Sequence, residues 1–173
     1  MKMYPPYPHM VLNSHNVPPP DYQMSNSWKV SSGDPPAFMV SQIRDIAAGL
    51  PDKKWQTVIF NSHGSPGKIH IGTGISLGDA ALFSKLKNKV VQIWIVACQV
   101  AGGSTTSSTV TGTSAGVQFC QSLSDKSGAV IYASSRNQSV EEPTLGYGEI
   151  DFYEGQTFMF TPGSKSPYQV QGG

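Results

Sequence analysis

The chain reads as an α/β protein with a mostly parallel central sheet covered by helices on both faces. Three observations predict this. Short β-branched and aromatic runs, Val58-Ile59-Phe60, Val90 to Ala97 and Ala129 to Ala133, are bounded by turn residues. Longer segments with helical spacing separate them, and strands that alternate with helices form parallel neighbours joined by crossovers. At 173 residues the chain is long enough for one sizeable core, so 1–173 is taken as a single domain.

Composition narrows the function classes. Charged residues make up 13% of the chain, about half the usual ~25%, and Ser, Thr, Gly, Pro, Asn and Gln fill the gap. This suits a loop-rich globular protein better than a helical bundle. A net charge of +1 gives no global field for nucleic acid or anionic lipid, so neither is expected as a partner. The longest apolar run, Val90 to Ala97, is far short of the ~20 residues a membrane span needs. After Lys2 the chain continues Tyr4-Pro5-Pro6-Tyr7-Pro8, with no apolar stretch of signal-peptide type. That points to the cytoplasm or to export without a signal peptide. Cys98 and Cys120 make no disulfide framework, and a reducing compartment is the simpler expectation.

Residues 1–33 are expected to be irregular and Pro-rich, with one short strand at His9-Met10-Val11-Leu12-Asn13. Asn13-Ser14-His15 echoes Asn61-Ser62-His63, too briefly to define a repeat. Asp34-Pro35-Pro36 reads as a helix start with Asp34 as N-cap, Met39, Ile43, Ile46, Ala47 and Leu50 give the apolar stripe, and Gly49 is the C-terminal stop. His63 to Gly67 is turn chemistry, and Lys68-Ile69-His70-Ile71 alternates like a small β arm. Ser76 to Val90 reads as a second helix capped through Asp79, with Leu82, Phe83, Leu86 and Val90 inward. Val90 to Ala97 is placed at the centre of the sheet. Gly102 to Gly112 is expected to be an exposed, mobile loop. Thr113 to Lys126 gives a third helix, with Gly116, Phe119, Cys120 and Leu123 on one face and Gly128 at its end. Gly148 to Tyr153 and Gln156 to Thr161, joined at Glu154-Gly155, read as a C-terminal β-hairpin, and 162–173 as a flexible tail.

Two of the buried runs end in reactive side chains, His63 and Cys98. If the runs are adjacent parallel strands, both groups emerge at one sheet edge, where ligands of such sheets gather. A thiolate is a strong nucleophile, and a neighbouring imidazole can take its proton or protonate a leaving amine. Gly64 lets a substrate approach the backbone, and the amides of Gly64 and Cys98 could face an oxyanion.

Strand-His-Gly followed by strand-Cys, here Ile59-Phe60-Asn61-Ser62-His63-Gly64 and Ile93-Trp94-Ile95-Val96-Ala97-Cys98, resembles the caspase-like cysteine peptidases. That clan includes caspases, legumain, clostripain, gingipains and the self-processing domains of bacterial toxins. His63 to Gly72 looks like the bacterial branch, in which a β arm follows the histidine, and Gly128 to Ser134 looks like the next strand. The resemblance covers roughly residues 56–136. It implies a three-layer αβα sandwich and a thiol protease whose dyad is Cys98, the nucleophile, and His63, the general acid/base. It also implies an oxyanion site at Gly64, no cofactor and no metal, and a peptide or protein substrate for an effector or self-processing module. Gln99-Val100-Ala101-Gly102-Gly103 fits the family's Gly-rich loop only in part, and the N-terminal third shows no match. The alternative is a catalytically inactive interaction module of the same fold.

Other candidates have simpler readings. Ser62 and Arg136 are candidate substrate contacts, although Arg136 also reads as a solvated loop residue. Glu141 and Glu142 would favour a basic substrate residue where Arg136 would favour an acidic one. Cys120 reads as core. His70 reads as a surface residue of the β arm, and His9, His15 and His70 match no zinc spacing. No nucleotide-binding glycine loop is present in the sequence.

Overall fold

The structure is a computed structural model that describes residues 2–103, 113–139, 144–151 and 153–171. Its elements run β1 (Lys2–Met3), β2 (His9–Ser14), β3 (Asn26–Val30), α1 (Pro36–Ala47), β4 (Trp55–Asn61), β5 (His63–Ser65), β6 (Lys68–His70) and β7 (Ile75–Ser76). A 3₁₀ helix (Leu77–Leu86) follows, then β8 (Val90–Val96), α2 (Ala115–Ser127), β9 (Val130–Ser134), β10 (Ile150–Asp151), β11 (Thr157–Phe160) and β12 (Tyr168–Gln171).

Seven strands form the central sheet in the order β12-β11-β9-β8-β4-β2-β3. The five from β9 to β3 are parallel, and β11 is antiparallel to both β9 and β12. The α/β class and the central place of β8 are as the sequence predicts. The helices, however, lie on one face. Met10, Leu12, Val58, Phe60, Ile93, Ile95, Ile131 and Ala133 point into a core shared with Met39, Val40 and Ile43 of α1, Phe83 of the 3₁₀ helix, and Phe119, Cys120 and Leu123 of α2. The alternate residues Val11, Ile59 and Val96 meet Tyr22, Met24, Ile150 and Tyr153, none of them helical.

Connection handedness accounts for this. The steps β3→β4, β4→β8 and β8→β9 cross the sheet in one direction, so right-handed crossovers put all three helices on the same side. The step β2→β3 runs the other way, and its connection, bearing Tyr22 and Met24, covers the opposite face. The chain therefore reverses between β2 and β4, the kind of switch point where a crevice opens beyond the strand ends.

Several expectations are corrected. Residues 1–33 are not irregular with a single strand: β1 pairs with β10, and β3 extends the sheet beside β2. Asn26–Val30 is a half-exposed edge strand with no apolar pattern to announce it. Asp34 is not the helix cap. Pro35 occupies that position, and the Asp34 carboxylate accepts the Ser31 N–H at 2.9 Å. The second helix is 3₁₀ and ends at Leu86, with Val90 already in β8. Its buried residues Ala80, Phe83 and Leu86 recur every third position, the period of three residues per turn. Asp79 does cap it, accepting the Ser76 N–H at 2.9 Å. The C-terminal hairpin is β11 with β12, so the tail from residue 162 carries an edge strand instead of being flexible, and β10 leaves to pair with β1. The third helix ends as expected, at Gly128 with φ of 70°. Among the described residues no helix is long and apolar enough to cross a membrane.

Candidate active site

β4 and β8 pair in parallel with Phe60 opposite Ile95 and Asn61 opposite Val96. The register continues one step further, where the Ser62 N–H donates to the Val96 carbonyl at 3.1 Å. His63 and Cys98 thus leave neighbouring strands at the same end. Both line one cleft of about 210 Å³, together with Val17, Pro18, Tyr22, Asn61, Ser62, Val96, Gln138 and Ser139. The cleft lies on the face away from the helices, at the reversal between β2 and β4.

Two close backbone contacts fix the turn that carries Cys98. A methyl group on Gly64 would lie 2.8 Å from the Cys98 carbonyl oxygen and 2.6 Å from Val100 Cγ2, so only glycine allows β5 to approach this turn so closely. On the other side, Gly116 brings the start of α2 against the backbone of Val100 to Gly102 and donates its N–H to the Gly102 carbonyl at 3.1 Å. Gln99, directly after the cysteine, holds a left-handed φ of 55°, a conformation that costs of order 1–3 kcal/mol and persists only when neighbours enforce it. The enforcing contacts are the Gln99 N–H on the Arg136 carbonyl at 2.8 Å and the Ala101 N–H on the Ser134 carbonyl at 3.0 Å. Val100, Ala101 and Gly102 are buried, so the loop expected to be mobile from Gly102 begins as packed structure, and 104–112 lie outside the described residues.

Cys98 is half-buried and Cys120 fully buried. Burial pushes the Cys120 thiol far up its scale, which fits the core role read from sequence. The partner of the Cys98 sulfur is the main chain of Gln138. Its N–H donates to Sγ at 3.3 Å, and its carbonyl lies 3.5 Å away as acceptor for the S–H. The first contact suits the thiolate and the second the thiol. Gln138 is itself held by Glu154: its Nε2 donates to the Glu154 carbonyl at 3.0 Å, and its Oε1 accepts the Glu154 N–H at 3.1 Å. The Glu154 carboxylate accepts the Ser139 N–H at 3.1 Å and the Ser139 hydroxyl as well.

His63 is exposed, and its Nε2 lies 3.1 Å from the Asn16 carbonyl. A carbonyl can only accept, so the neutral ring carries its proton on Nε2 and keeps Nδ1 as the acceptor. Among the described residues no hydrogen bond joins the imidazole to Cys98 Sγ. Ser62 is buried in the cleft wall, its hydroxyl donating to the His63 carbonyl at 2.9 Å.

The chain matches no known protein-family model and no curated protein sequence.

The other sequence candidates fall as follows. Arg136 does not line the cleft. It contributes its carbonyl to the Gln99 turn, and its side chain lies over Gly155, where a Cβ would clash. His70 stands opposite His63 in the β5–β6 pair, with Nε2 2.8 Å from the Ser65 hydroxyl. Partial burial, then Lys68 and His63, lower its pKa. Among the described residues no three His, Cys, Asp or Glu side chains gather as a metal site. Glu141 and Glu142 lie outside the described residues.

Sequence reasoning missed the second layer. Asn13 and Asn61 stand side by side on β2 and β4, with Asn61 Nδ2 donating to Asn13 Oδ1 at 2.8 Å. Asn13 also accepts the Tyr22 N–H at 3.1 Å and donates to the Tyr22 carbonyl at 2.9 Å, which fixes the cleft's far wall. The echo between Asn13-Ser14-His15 and Asn61-Ser62-His63 was the available signal, and it marks this pairing.

Proposed function

We propose that the chain is a cysteine endopeptidase of caspase-like type that cleaves peptide bonds with Cys98 and His63. One observation carries this reading: the two groups leave adjacent parallel strands and open into the same cleft. Cys98 Sγ attacks the scissile carbonyl carbon, and its proton passes to His63 Nδ1. The oxyanion is received by the Gly64 and Cys98 amides. The C–N bond then breaks, and the imidazolium returns the proton to the leaving amine. Water next attacks the thioester while His63 takes its proton, the C–S bond breaks, and the carboxylic acid product and the free thiol result. The Gln138 N–H steadies the thiolate between steps. Ser62 supports the histidine from behind, and Arg136 acts through its main chain on the turn. No step calls for a cofactor or a metal.

A catalytically inactive interaction module is the second reading. The sulfur's contact with Gln138, in place of a contact with the imidazole, favours it. Incubation with a synthetic peptide pool, randomised at every position and read by mass spectrometry, separates the two. The peptidase reading expects cleavage by the wild type and none by Cys98→Ala or His63→Ala. Equal product from all three proteins refutes it.

A further inference from the structure

The cleft beside Cys98 has a composition that bears on what it accepts. Its lining holds Val17, Pro18, Val96 and the ring of Tyr22, with Asn61, Ser62, Gln138 and Ser139 as neutral polar groups. Among the described residues that line it, none is Asp, Glu, Lys or Arg. Of the described charged groups around it, the Glu154 carboxylate is held by Ser139, Arg136 lies over Gly155, and Asp21 pairs with Lys29 at 2.6 Å. The polar groups of the floor are also engaged. Asn61 Nδ2 is bound to Asn13, and the Tyr22 hydroxyl accepts the Asp151 N–H at 3.3 Å. At about 210 Å³ the cleft is smaller than the ~300–1,000 Å³ typical of small-molecule sites. It has room for one side chain of an extended peptide.

From these features we infer that the cleft is a specificity pocket for a single uncharged, mainly apolar substrate side chain next to the scissile bond. Val17, Tyr22 and Val96 are its selecting walls. This rests on the peptidase reading of the same site. Among the described residues that line the cleft, a carboxylate, ammonium or guanidinium would lose its water and meet no Asp, Glu, Lys or Arg of opposite charge, which is strongly unfavourable. An aliphatic side chain would exchange water for Val17 and Val96. Val17 suits a specificity role. It belongs to the β2–β3 connection, is half-buried, and is anchored by its own N–H on the Ser14 carbonyl at 3.3 Å. Its side chain can therefore change without disturbing either core cluster.

The randomised peptide pool tests this through the residues flanking each cleaved bond. At one flanking position the wild type should favour uncharged residues over Asp, Glu, Lys and Arg by at least ~10-fold in kcat/KM. Val17→Asp should move that same position toward Lys and Arg, while Gly33→Ala, at a residue that does not line the cleft, keeps the wild-type profile. Preference for an acidic or basic residue by the wild-type protein, with cleavage still dependent on Cys98, overturns the inference and leaves the peptidase reading standing. An absence of Cys98-dependent cleavage overturns both. The wild-type profile decides the matter even if Val17→Asp does not fold.

Discussion

Gly64→Ala places one methyl group where the two strand ends meet. The added carbon would lie 2.6 Å from Val100 Cγ2, 2.8 Å from the Cys98 carbonyl oxygen and 2.9 Å from Ala97 Cβ. Gly64 is not in the left-handed region, so the cost is crowding and not backbone strain. Ala97, Cys98 and Val100 belong to a turn already pinned by Ser134, Arg136 and Gly67. A rotamer change at Val100 relieves one contact of the three. Relief of the other two separates β5 from the turn. Ordinary contact begins at 3.4 Å, so the opening is about 0.5–0.6 Å, over half of the 1 Å misplacement that can cost ~10²-fold in rate. Overpacking of this kind destabilises by about 1–3 kcal/mol, more than the ~0.4–1 kcal/mol that alanine gains by restricting the unfolded chain. For a domain of this size the expected fall in Tm is roughly 2–12 °C, with kcat/KM on a cleaved peptide down roughly 10- to 100-fold. Gly33→Ala is the control, since nothing lies within 4 Å of its added carbon. Thermal unfolding by circular dichroism and a peptide assay read the two effects. Unchanged Tm and unchanged cleavage in Gly64→Ala would show that the close approach of β5 to the Cys98 turn is not real.

Two further outcomes follow from the support around the cleft. Asn13→Ala removes the acceptor of Asn61 Nδ2 and of the Tyr22 N–H, and about 1–3 kcal/mol is expected for each buried donor left unpaired. A urea midpoint equal to that of the wild type would contradict the pairing of the two asparagines. His9 is buried and accepts the Ser25 N–H on Nδ1 at 3.0 Å, and burial lowers its pKa below the ordinary 6.5. The unfolded chain then takes up the proton first as pH falls. His9's contribution is intact above 6.5 and is lost as pH falls through that value toward the lowered folded one. His70, lowered as well, adds a slope of the same sign. Urea stability followed from pH ~8 to ~5 should therefore fall less steeply in His9→Asn than in the wild type. Parallel curves would rule out the His9 contribution.

Much of the site's frame was legible because it rests on local signals. Val58-Ile59-Phe60 of β4 is buried on both faces and Val90 to Val96 of β8 is mostly apolar, so both read as hydrophobic strands, and His63 and Cys98 lie two residues beyond their ends. The stripe of α1 and the buried Cys120 follow from helical spacing. What could not be read depends on contacts between distant residues. Gln138 meets Cys98 across 40 positions, and Asn61 meets Asn13 across 48. β3 lies half-exposed at an edge, where no burial pattern is imposed. Helices on one face, in place of two, follow from the order β9-β8-β4-β2-β3, which residue patterns do not encode. The stripe expected for the second helix, Leu82, Phe83, Leu86 and Val90, includes steps of four that suit an α-helix, whereas burial selects Ala80, Phe83 and Leu86, three apart.

The central claim is that one cleft couples the Cys98 thiol to the His63 imidazole. The rate of Cys98 alkylation by iodoacetamide at neutral pH, followed by mass spectrometry on the intact protein, tests it most directly, because the fully buried Cys120 stays silent. Coupling predicts that His63→Ala slows this reaction by roughly 10-fold or more, while His70→Ala does not. Identical rates in wild type and His63→Ala would mean that the imidazole does not act on the sulfur, and the proposed dyad would fall.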